Sequence, residues 1–286
     1  MIPRMMEITT KIGCPLNCRF CPQDLLIRSY HLSEKNSALM SFETFKICID
    51  KIPADVDIHF SGMAEPWINS ECTKMLIYAY DKGHRIYIFT TLVGMTQTDF
   101  YKIKDMNIER FVLHIPDEEN NSKFILDTSY MSLLEEVVAN SINGKFKIDH
   151  FSCHGNVHPK IKDLIESSGL KVDSNMYDRA GNVQEKCDID SGNRKSGPII
   201  CKFCNGTALD KNVLLPDGQV LLCCMDYGMK FPLGNLKHQS FDEISEGPQK
   251  TKYRDMMMHD NYADSILCRI CHRSKCIDNT IPVEQK

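Results

Sequence analysis

Three cysteines near the start of the chain have a spacing suited to iron–sulfur chemistry. The run Gly13-Cys14-Pro15-Leu16-Asn17-Cys18-Arg19-Phe20-Cys21 places Cys14, Cys18 and Cys21 in a C-x3-C-x2-C pattern. A four-iron cluster held by three thiolates has one iron without a protein ligand, much as a catalytic metal site keeps one coordination position open. Zinc sites prefer two pairs of ligands, and ferredoxin runs use another spacing with a fourth cysteine. A second group, Cys201, Cys204, Cys223, Cys224, Cys268, Cys271 and Cys276, lies in the last third of the chain. Cys48, Cys72, Cys153 and Cys187 are scattered, and the first two fall in predicted helices and read as small buried hydrophobes. Fourteen cysteines with no export signal do not read as a disulfide framework, and their clustering points to metal.

The first motif follows directly on an apolar strand candidate, Met5–Ile12. Further strand candidates are Val56–Phe60, Arg85–Leu92, Ile108–Ile115, Phe146–Phe151 and Leu170–Asn175, all short and rich in Ile, Val, Phe and Thr. Helices are predicted between them at Ser41–Ile52, Glu71–Lys82, Thr96–Met106, Tyr130–Asn143 and His158–Ser168, with Gly83, Gly144 and Gly169 just past helix ends. Six β–α units imply a parallel sheet with right-handed crossovers, and six are too few for a closed eight-stranded barrel. The expected fold is therefore an α/β partial (β/α)6 TIM-like barrel over residues 1–177, with its chemistry at the C-terminal ends of the strands. Residues 178–198 are polar and read as a linker. Residues 199–286 form a small cysteine-rich unit, with a hairpin turning at Pro216-Asp217-Gly218 and one helix over Ser240–Met258. Met256-Met257-Met258 reads as core, and His154 and His158 as surface or pocket residues.

The N-terminal motif resembles that of the radical S-adenosylmethionine (SAM) superfamily, including the aromatic Phe20 before the last cysteine. The resemblance implies that Cys14, Cys18 and Cys21 hold a 4Fe-4S cluster whose open iron chelates SAM. It also implies reductive cleavage of SAM to a 5′-deoxyadenosyl radical, with the electron from an external donor such as flavodoxin or ferredoxin. The segment Ser61-Gly62-Met63-Ala64-Glu65 is similar to the family's "GGE" segment, with Ser61 for the first glycine and two residues between Gly62 and Glu65. By the same resemblance, Ser61, Gly62 and Glu65 contact the SAM amino group, Gly62 by letting its backbone approach a ligand closely. Thr90 and Thr91 stand where family members carry polar site residues, though strand-end hydroxyls also satisfy loop backbone. Arg179 is the candidate catalytic or carboxylate-binding cation.

Cys204, thirteen residues, Gly218, four residues, Cys223 resembles the opening of the SPASM/twitch extension, and Leu233-Gly234-Asn235-Leu236 resembles its continuation. The resemblance assigns an auxiliary 4Fe-4S cluster to Cys204, Cys223, Cys268 and Cys271. Cys268-x2-Cys271-x4-Cys276 is shorter than the full SPASM pattern, so one auxiliary cluster is expected rather than two. Cys201, Cys224 and Cys276 are left over as possible substitutes, and a zinc ribbon is the plainer reading of four cysteines in two groups.

A net charge of -4 gives no reason to expect nucleic acid, and no apolar run reaches bilayer length. With no secretory signal, the expected location is the cytoplasm. The architecture is similar to that of 2-deoxy-scyllo-inosamine dehydrogenase-type members of the family. Only thirteen residues precede Cys14, which leaves no room for a peptide-recognition domain. The expected function is therefore a radical SAM oxidoreductase acting on a small sugar, cyclitol or similar alcohol, with the auxiliary cluster accepting an electron. The alternatives are a peptide- or protein-modifying radical SAM enzyme and a zinc-binding interaction protein.

Overall fold

The structure, a computed structural model, describes residues 4–31, 37–174, 176–183, 193–204, 206–260 and 265–277. Cys187 and the middle of the predicted linker lie outside them. Six strands alternate with helices: β1 (Met5–Ile8), β2 (Asp57–Phe60), β3 (Ile86–Thr90), β4 (Arg110–His114), β5 (His150–Ser152) and β6 (Val172–Asp173). All five neighbouring pairs are parallel. The intervening helices are α1 (Gln23–His31), α2 (Phe42–Ile49), α3 (Cys72–Asp81), α4 (Gln97–Ile103), α5 (Thr128–Ile142) and α6 (Lys162–Ser167).

Local chemistry sets the helix starts. Ser41 caps α2 by accepting from Thr44 N, Thr96 and Asp99 form a capping box on α4, and Asp127 accepts from Tyr130 N at the head of α5. Alternation sorts the strand residues. Met6, Ile8, Ile58, Phe60, Ile86 and Ile88 enter the main apolar core with the helices. Glu7, His59 and Tyr87 occupy one register row on the opposite face, where the His59 and Tyr87 rings stack at 4.2 Å. A polar inner face of this kind is unusual for parallel strands, which are ordinarily apolar on both faces.

The sheet does not close. Among the described residues it has nine strands, with β6 at one edge and β10 (Pro232–Asn235) at the other. The C-terminal region supplies three of the nine. Strand β8 (Lys211–Leu214) runs parallel to β1, and β9 (Gln219–Leu221) and β10 continue antiparallel. The expected hairpin is thus present, and it extends the barrel sheet directly beside the first cysteine motif. A separate two-stranded sheet joins β7 (Ile199–Cys201) to β11 (Ser274–Cys276).

The single helix expected over Ser240–Met258 is two, α7 (Phe241–Ser245) and α8 (Pro248–Met258). Pro248 has no N–H and disfavours a helical residue before it, and Gly247 is extended at φ -75°, ψ 171°. Helix α8 is anchored by Lys250, whose buried ammonium pairs with Asp210 at 2.7 Å. Met257 is fully buried, and so are Cys48, Cys72 and Cys153.

Candidate metal centres

The loop after β1 carries Cys14, Cys18 and Cys21, each partly exposed and close enough to feel one another electrostatically. The loop is tight: Gly13 and Asn17 have positive φ, and Cys21 N donates to Cys18 O at 3.0 Å. Burial raises the Cys14 thiol and pushes Cys18 up to about 12, and the neighbouring thiols add to the rise. Such thiols become good thiolates only with a cation to compensate them, and a metal cluster supplies one. Cys21 Sγ accepts from Gln23 Nε2 at 3.3 Å and lies 3.5 Å from the Tyr227 hydroxyl. Phe20 is buried with its ring 3.9 Å from that of His154, whose ring lies 5.8 Å from that of His114. Burial holds His114 at a pKa of about 3, so it is a neutral imidazole. His158 takes no part in the site; its Nδ1 accepts from Lys160 N.

Glu65, Thr90 and Thr91 form one network. Thr90 Oγ1 and Trp67 N donate to Glu65 Oε1 at 2.7 and 3.2 Å, and Thr91 N and Oγ1 donate to Oε2 at 2.6 and 2.8 Å. These four bonds fill the carboxylate's acceptor sites. Burial nevertheless raises the Glu65 pKa. The threonines, read from sequence as direct site contacts, here hold Glu65. At Gly62 (φ +46°) an added Cβ would lie 2.5 Å from Ile8 O and 2.6 Å from Thr9 Oγ1, so the close approach is to β1 itself. Ser61 Oγ donates to Glu7 Oε2 at 3.2 Å.

The C-terminal cysteines line one pocket. Cys201, Cys204, Cys223, Cys224, Cys268 and Cys271 face it, with Leu209, Leu222, Met225 and Leu267 as apolar wall. Cys276 is exposed and does not line it. Burial raises the thiols of Cys223, Cys268 and Cys271, and the Cys201 hydrogen bond followed by burial raises Cys204. The same bond from Cys204 lowers Cys201 to about 6. Arg269, buried between the last two ligand candidates, donates to the carbonyls of Lys195, Gly197, Met256 and Met257 and fixes their loop. Among the described residues no three His, Cys, Asp or Glu side chains converge as ligands of a single ion. Thiols spread around an apolar pocket fit a larger iron–sulfur group, whose irons take their ligands at separate corners.

Arg179 joins the two regions. It sits in a run of three left-handed residues, Arg179, Ala180 and Gly181 at φ 50°, 54° and 82°. Two of these are not glycine, a strain of about 1–2 kcal/mol each that the surroundings must hold. They are held by the fully buried Asp178, whose Oδ1 accepts from Ala180 N at 3.1 Å and contacts His272 Nδ1 at 2.8 Å, beside Cys271. Asn182 Nδ2 donates to Met225 O at 3.3 Å, beside Cys223 and Cys224. The start of the expected linker is thus a buried, strained loop at the site. Burial works against the Arg179 charge, but Tyr227, Cys21, Cys224 and Glu7 outweigh it and raise its pKa. Its buried Nε has no hydrogen-bond partner among the described residues, as a donor aimed at a ligand would.

Residues 201–276 match the SPASM family, an iron–sulfur cluster-binding domain. Among curated proteins none matches the sequence. In solved structures the chain is similar to BtrN in complex with AdoMet and 2-DOIA, at 18% identity and a TM-score of 0.61, over 95% of this chain and 94% of that one. It is also similar to native anSMEcpe with bound AdoMet, at 15% identity and 0.51, over 94% and 88% of the two chains. A third likeness is to Streptococcus suis SuiB bound to precursor peptide SuiA, at 15% and 0.53, over 88% and 66%. The chain shares the fold of these structures, an open partial TIM-like α/β barrel, and its C-terminal region matches the SPASM domain. In that frame the three-cysteine loop and the "GGE"-like segment stand at the C-terminal ends of β1 and β2, where a parallel α/β sheet presents ligand sites.

The sequence reading did not single out Glu7, Gln23, His114 or Tyr227. Glu7 carries a legible signal, an acid inside an otherwise apolar strand. Tyr227 carries none, because its reach to Cys21 spans more than two hundred residues of chain.

Proposed function

We propose that this chain is a radical SAM oxidoreductase that dehydrogenates a small alcohol such as a sugar or cyclitol. When bound, the N-terminal 4Fe-4S cluster and SAM supply a hydrogen-abstracting 5′-deoxyadenosyl radical, and the auxiliary 4Fe-4S cluster supplies an electron acceptor. Cys14, Cys18 and Cys21 hold the first cluster, with Phe20, Ser61, Gly62 and Glu65 around SAM. Glu65 takes the SAM ammonium in place of one threonine hydroxyl, and Thr90 and Thr91 keep the carboxylate aimed. Cys204, Cys223, Cys268 and Cys271 hold the auxiliary cluster. Arg179 orients an anionic or hydroxylated group through its unpaired Nε. The external electron donor is of the flavodoxin or ferredoxin type.

One observation carries this reading. Arg179 feels Cys21 of the first site and Cys224, next to Cys223, of the second, so its guanidinium lies within electrostatic reach of both cysteine regions. A substrate there stands between a radical source and an electron sink. No helix among the described residues is long and apolar enough to cross a membrane.

The second reading is peptide or protein modification, favoured by the likeness to SuiB with a precursor peptide and to anSMEcpe with bound peptide. The deciding experiment incubates the anaerobically reconstituted protein with SAM, a reductant and carbinol-deuterated sugars and cyclitols. The oxidoreductase reading expects deuterium in 5′-deoxyadenosine and one ketone per deoxyadenosine. Turnover confined to peptides would replace it with the second reading.

A further inference from the structure

Glu7 is a carboxylate in the middle of the first barrel strand, 7% exposed. Burying an ionised carboxylate is costly unless a cation or several donors compensate it. Its hydrogen-bond partner is the Ser61 hydroxyl at 3.2 Å, and the Cys224 thiol lies beside it. Arg179 and Lys211 act on it only at longer range, and among the described residues no cation lies within 4.0 Å of it. Desolvation therefore dominates and raises the Glu7 pKa above the ordinary carboxylate range. A carboxylate clamped by arginine is a poor base, whereas one held by a hydroxyl and a thiol in a desolvated cavity is a good one.

Its position is equally specific. Ser61 belongs to the "GGE"-like segment on the SAM side, and Cys224 follows auxiliary-cluster ligand candidate Cys223. Glu7 stands between the two, hydrogen-bonded to Ser61 and beside Cys224. A substrate oriented by Arg179 thus meets Glu7 between the radical source and the electron sink.

We propose that Glu7 is the proton acceptor for the substrate hydroxyl. The inference rests on the oxidoreductase reading. The atoms and electrons balance as follows. The carbinol C–H hydrogen atom goes to the 5′-deoxyadenosyl radical, the O–H proton goes to Glu7, and one electron passes to the auxiliary cluster. The carbon–oxygen bond becomes C=O.

The test compares wild type, Glu7→Gln and Glu7→Asp, each reconstituted and counted for iron, with the alcohol that wild type oxidises. Iron content equal to wild type shows that each variant folds and binds its clusters. In Glu7→Gln, ketone formation is expected to fall about 100-fold or more, the range for loss of a general base. Deoxyadenosine formation is expected to fall less than about threefold, and a substrate-derived radical to accumulate in freeze-quenched electron paramagnetic resonance samples. Glu7→Asp recovers part of the ketone yield. Two results overturn the proposal while leaving the oxidoreductase reading intact. The first is a coupled Glu7→Gln. The second is a Glu7→Gln defect confined to KM, as a counter-ion role predicts. A wild type that oxidises no alcohol overturns both together.

Discussion

The two cysteine regions solve opposite problems. The N-terminal thiols are partly exposed on a glycine-started loop, and Cys21 accepts from Gln23 and sits within hydrogen-bond reach of the Tyr227 hydroxyl. The C-terminal ligand candidates lie in an apolar pocket, with Cys204, Cys268 and Cys271 buried and their loop pinned by a buried arginine. Three ligands with polar surroundings leave an iron accessible, and four ligands behind apolar walls close it. On the proposed reading, ligand number and local polarity, rather than cysteine itself, would separate a reacting site from an electron site.

The largest effect expected is from replacing Cys14, Cys18 and Cys21 together by Ala. SAM cleavage is lost entirely, and about four of about eight irons remain, because the two ligand sets are independent. Deoxyadenosine production by this variant would erase the distinction between the regions. Next is the Cys268→Ala, Cys271→Ala pair. SAM cleavage stays measurable while substrate oxidation collapses, as read by deoxyadenosine against product. A soluble variant without the auxiliary cluster that oxidises substrate at the normal rate would contradict the electron-sink role, and loss of both clusters together would make the second region a structural staple.

Smaller effects sharpen the comparison. Glu65→Ala strands the donors of Thr90, Thr91 and Trp67, so the melting temperature should drop by an amount equivalent to about 3 kcal/mol. SAM affinity falls with it, and the C-terminal cluster is retained. Tyr227→Phe removes one hydrogen bond to Cys21, worth about 1 kcal/mol. For one electron that is roughly 40 mV, and the N-terminal cluster's potential becomes more negative because a donor favours the electron-rich state. Redox titration of each cluster's paramagnetic signal checks this, and the auxiliary potential should stay in place.

Much of this was legible in the sequence, for identifiable reasons. The six β–α units showed because strands such as Ile86–Thr90 are short and apolar and their helices carry caps such as Ser41 and Thr96. The cysteine spacings showed because cluster ligands must lie close along a loop. Helix α1 was missed because it opens directly out of the cysteine loop, where Cys21-Pro22 reads as turn. Its buried Leu26 and Tyr30, four apart, are the signal that was there. The union of β8 with β1 in one sheet was not legible, since pairing between strands two hundred residues apart leaves no local pattern. The same holds for the Asp178 loop, whose polar residues read as linker until His272 and Met225 close around it. Glu7 was present as an anomaly in an apolar strand, but its partners come from distant segments.

The central claim of the proposed function is that one chain holds two different iron–sulfur clusters. Mössbauer and electron paramagnetic resonance spectra of the reconstituted protein, recorded with and without SAM, test it most directly. The account predicts two 4Fe-4S clusters, one whose spectrum changes on SAM addition because it has an open iron, and one that does not change. A single cluster, bound zinc in the C-terminal pocket, or SAM-induced changes confined to the C-terminal cluster would contradict it.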